Sequence, residues 1–138
     1  MRNGMLRAFA TGMIARNLQD LRVFQKALTA ADAISALLRR PGFGRELDLK
    51  TQLSRSSSRV APLIAEGYGQ LTDRHVAVYL GRARGSVLET VGHLRRALSE
   101  DLITASEHAQ VAELYDHIGR MLTRWIHYLR KADRKDRG

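Results

Sequence analysis

From Asp20, the residues Leu21, Phe24, Leu28, Ala31, Ser35 and Leu38 recur at alternating steps of three and four. That spacing lines one face of an α-helix and predicts a first helical segment. The stretch "RRPGFG" ends it, with Pro41, Gly42 and Gly44 as breakers. A second segment is expected from about Glu46 to Gly69. In the third, Thr72 suits the N-cap position, and Val76, Leu80, Ala83, Val87, Val91, Leu94 and Leu98 form the apolar stripe. The fourth opens with "TASE", Thr104 to Glu107, a capping box in which a hydroxyl and a carboxylate satisfy free backbone N–H groups. Its stripe is Val111, Leu114, Ile118, Leu122, Trp125 and Leu129. Strand signals are absent: there is no sustained alternation, and no Asn-Gly or Asp-Gly hairpin. Four amphipathic helices with short connections predict an all-α protein, an antiparallel up-and-down four-helix bundle.

The expected bundle occupies residues 20–131. Residues 1–19 read as a loosely ordered basic extension, in which Met13 is a candidate initiator. Residues 132–138 read as a charged tail expected to fray.

The second segment carries an unusual run, "SRSSSRVAPLIAEGYGQ", from Ser54 to Gln70. Pro62 removes a backbone donor and crowds the carbonyl of Ser58, so a kink is expected there. Ser56, Ser57 and Ser58 are small and can bond backbone locally. Gly67 and Gly69 suit a close approach or a C-terminal turn. Glu66, if buried, would need a cation, with Arg55 and Arg84 as the candidates.

The third helix carries a second pattern. Ala77, Gly81, Gly85, Leu88 and Gly92 follow at steps of four, four, three and four, away from the core stripe. Each interior glycine costs about 1 kcal/mol relative to alanine. Close approach of another backbone would offset this, so the face is expected to be a subunit interface.

Charge changes the picture further. Lys and Arg total 23 against 14 acids, a net charge of +9 and a pI near 10.8. Such a balance favours a polyanionic partner, RNA or DNA, or an anionic membrane surface. Arg120, Arg124, His127 and Lys131 form one outer row on the fourth helix. Arg74, Arg82 and Arg96 project outward from the third, and Arg55 and Arg59 flank the serine triplet. These rows are the candidate phosphate contacts. Aromatic residues are 6%, and no DNA-reading motif is present, so sequence-specific readout is not expected. Trp125 lies on the apolar stripe, where core packing is the expected role.

Other chemistry finds little support. The absence of cysteine excludes disulfides and thiolate sites and fits a reducing, cytoplasmic setting. Glu89 with His93 and Glu113 with His117 are i,i+4 pairs, but both fall toward outer faces and the core stripes supply no carboxylate. No metal, cofactor or catalytic residue is therefore expected. No apolar run approaches a membrane span. The basic segment Met1 to Asn17 allows a peripheral membrane reading.

Three blocks, "DLRVFQKA" (Asp20 to Ala27), "AEGYG" (Ala65 to Gly69) and "ARGSVLET" (Ala83 to Thr90), resemble a family of four-helix bundle proteins. That family was first noted as open reading frames in intervening sequences of bacterial large-subunit ribosomal RNA genes. It is related to the accessory variability proteins of diversity-generating retroelements. The resemblance spans roughly Asp20 to Lys131. It implies an up-and-down bundle that assembles into a barrel-like homopentamer with a basic surface, like the retroelement relatives that bind nucleic acid and a reverse transcriptase. It carries over no catalytic residue. Leu63 stands where that pattern commonly has Asn, and Gln70 where it has Arg or Lys. The expected function is thus a non-enzymatic, homo-oligomeric accessory protein that contacts RNA or DNA phosphates, with assistance to a reverse transcriptase as one role. The alternative is an interaction scaffold for an acidic protein partner.

Overall fold

A computed structural model describes Met5 and residues 17–138. The expectations for the rest of residues 1–16 lie outside the described residues. After a 3-10 turn at Leu18–Asp20, four helices follow: α1 (Arg22–Leu38), α2 (Leu47–Tyr68), α3 (Asp73–Ser99) and α4 (Ala105–Arg137). Each helix packs on its neighbours in sequence, and α1 closes against α4, which gives the up-and-down bundle. The α2–α3 and α3–α4 contacts are the most extensive, so α3 is the most enclosed helix.

The apolar stripes of α3 and α4 lie where their spacing placed them. Val76, Leu80, Ala83, Val87 and Leu94 are buried, as are Val111, Ile118, Leu122, Trp125 and Leu129. Helix α1 is rotated relative to its expected stripe. Its buried residues are Val23, Ala27, Ala30, Ile34, Leu37 and Leu38, whereas Leu28 is 46% exposed and Ser35 is exposed. The shift is one residue, about 100° around the axis. Small Ala27 and Ala30 face the core, because they let α1 approach its neighbours closely; the larger Leu28 is left outside.

One serine of the run, Ser56, serves the α2–α3 contact, while Ser57 and Ser58 bond backbone of their own helix. Helix α2 runs unbroken through Pro62, which is exposed. Ser57 and Ser58 donate to the carbonyls of Ser54 and Arg55, at 3.2 and 3.1 Å. Ser56 is buried, its hydroxyl 2.9 Å from that of Thr90 on α3. Thr90 has one proton, and donation to the Ser86 carbonyl at 2.8 Å leaves Ser56 as the donor between the two hydroxyls. Gly67 marks a second close approach. A Cβ there would lie 3.0 Å from the Cβ of Tyr79. Gly69 is the exposed C-cap. Glu66 is also exposed and so needs neither Arg55 nor Arg84.

The connections are specific. In the 3-10 turn Pro41–Arg45, Phe43 is completely buried. Thr72 accepts from the His75 backbone N–H at 3.2 Å, the expected cap of α3. Helix α3 ends in a Schellman motif: the Leu102 N–H donates to the Ala97 carbonyl and the Asp101 N–H to Leu98. Asp101 takes the left-handed position, at φ 57°. The capping box of α4 is formed, with Glu107 N–H donating to Thr104 Oγ1 at 3.1 Å and Thr104 N–H donating to Glu107 Oε1 at 2.8 Å. The Thr104 N–H, aided by Arg40, holds the Glu107 carboxyl below the usual carboxylate range. Helix α4 continues past Lys131 through the stretch expected to fray. Ala132 is buried there, and Asp133 pairs with Arg137 at 3.3 Å.

Candidate nucleic-acid interface

All eight basic candidates, Arg55, Arg59, Arg74, Arg82, Arg96, Arg120, Arg124 and Lys131, are exposed. They differ in what they touch. Arg59 reaches Glu89 across α2 and α3 at 3.7 Å, Arg96 pairs with Glu100 at 3.0 Å, and Arg120 pairs with Asp116 at 2.7 Å. Glu100, by its hydrogen bond and its charge, raises the pKa of Arg96 further. Surface pairs of this kind are worth little and are screened by salt. They do, however, neutralise the charge a phosphate would meet.

Arg55, Arg74, Arg82, Arg124 and Lys131 have no ion pair among the described residues. The guanidinium of Arg82 lies 5.0 Å from the ring centroid of Tyr79, a cation–π contact that leaves its edge free to donate. Arg124 borders a groove between α3 and α4, together with Arg84 and the paired Arg120. Arg74 borders another near Arg130 at the opposite end of α4. The candidates are thus spread over several faces and do not converge on one stripe. Arg55 joins a cationic group that no carboxylate lines: it borders a groove between α1 and α2 with Arg39 and Lys50, whereas Asp116 lines the groove of Arg124 and Asp73 and Asp133 that of Arg74. Neither of those two stood out in single-helix periodicity, since the grouping arises only when antiparallel helices are laid side by side.

The residues of the expected subunit interface divide as well. Ala77 is 7% exposed and belongs to the chain's own core, which corrects its placement on the outer face. Gly81, Gly85 and Gly92 are open: a Cβ on any of them would meet nothing within 4 Å among the described residues. Leu88 beside them is 58% exposed. It lines the α3–α4 groove with Val87, Val91, Ala112, Tyr115 and Gly119. Tyr115 is fully buried, its hydroxyl has no partner, and burial pushes its pKa up.

Glu89 faces Arg59, and among the described residues no three His, Asp or Glu side chains gather to hold an ion. Trp125 is a core residue, as its stripe position indicated. Among the described residues no helix is long and apolar enough to cross a membrane.

Comparison with known proteins agrees with this architecture. A search of curated proteins finds no match. A solved structure of a protein with unknown function from the S23 ribosomal protein family of Bacteroides thetaiotaomicron VPI-5482 shares the fold. It is 20% identical, with a TM-score of 0.69, over 75% of this chain and 97% of that one. The family model described as "23S rRNA-intervening sequence protein" matches residues 19–124, from the turn before α1 to Arg124 within α4. This chain belongs to the 23S rRNA-intervening sequence protein family.

Proposed function

We propose that this protein is a non-enzymatic, homo-oligomeric accessory protein that holds RNA or DNA by phosphate contacts, without reading sequence. The observation that carries the reading is that the exposed candidates Arg55, Arg74, Arg82, Arg124 and Lys131 have no carboxylate partner among the described residues, on a chain of net charge +9. Cations left unpaired on several faces suit a polyanion, whose charges are closely and regularly spaced. Sequence readout needs side chains gathered against base edges, whereas these cations are spread over several faces. Unrelated RNA hairpins of equal length should therefore compete equally for the protein in fluorescence anisotropy. A preference of tenfold or more for one sequence, or no binding to any hairpin or to a DNA duplex, would sink this reading.

Assembly rests on the open glycines. Gly81, Gly85 and Gly92 weaken α3 by about 1 kcal/mol each, and no contact among the described residues requires them. A second copy packed on this face, with Leu88 at its centre, supplies the missing compensation. Gly85→Leu is expected to break the assembly in light scattering while helicity by circular dichroism stays intact. An unchanged mass would remove the interface from this face.

A further inference from the structure

The α1–α2 groove differs from the rest of the basic surface. Ser35 and Arg39 from α1 line it with Lys50, Thr51, Ser54 and Arg55 from α2, around a volume of about 580 Å³. That is within the range of ligand sites, about 300–1,000 Å³. Its charges are all of one sign: three cations and no carboxylate line it. Arg39, Lys50 and Arg55 form no ion pair among the described residues, although carboxylates are close in sequence. Asp48 instead accepts from the Gln52 side chain at 3.1 Å, and Asp32, one turn before Ser35, is exposed and unpaired.

Packing does not account for this arrangement. The apolar residues that these two helices bury, Ile34, Leu37, Leu38, Leu49 and Leu53 among them, belong to the common core. Three like charges lining the groove repel one another, and an anion between them would relieve that repulsion. The neutral donors narrow the choice of anion. Guanidinium forks suit phosphate oxygens bidentately, a lysine adds a point charge, and hydroxyls can donate to the oxygens that remain.

Resting on the proposed function above, we propose that this groove is the principal phosphate-binding subsite of the protein, holding the sugar-phosphate backbone of a bound nucleic acid. Three phosphate contacts at about 0.1 M salt correspond to roughly a hundredfold in affinity and a change of about 2–3 in the log–log salt slope.

The test compares the full-length wild type with two variants of equal charge, each checked for helicity. One is Arg39→Gln/Lys50→Gln/Arg55→Gln. The control is Arg22→Gln/Arg95→Gln/Lys135→Gln, which changes exposed cations outside the groove. The probe is a labelled RNA hairpin titrated across a potassium chloride series, with poly-glutamate as competitor. The groove variant should lose about a hundredfold in affinity and most of that slope, and the control far less. Equal losses in both variants would reduce the groove to bulk charge and overturn the proposal. A groove variant that binds like the wild type would overturn it while leaving the proposed function standing. A wild type that binds neither the RNA hairpin nor a DNA duplex of equal length would overturn both. Stronger binding of poly-glutamate than of RNA would also overturn it and would identify an acidic protein as the occupant.

Discussion

Phe43→Ala is expected to lower the stability of the fold by about 3–5 kcal/mol, the usual cost of truncating a buried aromatic side chain. Phe43 sits in the five-residue 3-10 turn between α1 and α2 and is 0% exposed. Its ring therefore ties the connection to the core, and its loss leaves a cavity where two helices must stay in register. Against a total stability of about 5–15 kcal/mol, such a loss is large. Urea denaturation followed by circular dichroism measures it. The midpoint should fall with little change in slope, and an effect under about 1 kcal/mol would mean that the turn is not anchored by this ring.

Gly67→Val should destabilise the bundle by about 1–3 kcal/mol or more, through overpacking rather than a void. The added Cβ would stand 3.0 Å from Tyr79 Cβ, 3.4 Å from Leu80 Cδ2 and 3.5 Å from the Val76 carbonyl oxygen. The Cβ of Tyr79 and the carbonyl of Val76 are fixed to the backbone of α3, so relief requires the two helices to separate. Separation would also stretch the 2.9 Å contact between Ser56 and Thr90 further along the same seam. Gly44, where a Cβ meets nothing within 4 Å, provides the matched control. Valine at Gly44 should cost much less. Equal thermal midpoints for the two variants would contradict a tight α2–α3 approach at Gly67.

These two positions show what periodicity can and cannot reveal. The four helices, the Thr72 cap and the Thr104–Glu107 box were legible because each depends on local spacing or on a side chain bonding nearby backbone. The face of α1 was not. Ala27 and Ala30 carry a weaker apolar signal than Leu28, yet they face the core because close packing there needs small side chains. The burial of Phe43 was hidden by the breakers around it. The stop after α3 lacked its usual glycine, since Asp101 takes the left-handed position. The basic candidates were legible as exposed residues, but their partners were not. Whether an arginine meets Glu89, as Arg59 does, or stays free, as Arg55 does, depends on helices that are distant in sequence. The groove of Arg39, Lys50 and Arg55 is likewise a product of helix pairing.

The most direct test of the account is the salt dependence of binding of the wild-type protein to an RNA hairpin and a DNA duplex. If unpaired cations hold phosphates, the logarithm of the association constant should fall linearly with the logarithm of salt concentration, at about 0.9 per phosphate neutralised on duplex DNA. The account predicts a slope of several units. No binding at low salt, or an affinity indifferent to salt, would contradict it and leave the positive charge of this bundle without a nucleic-acid role.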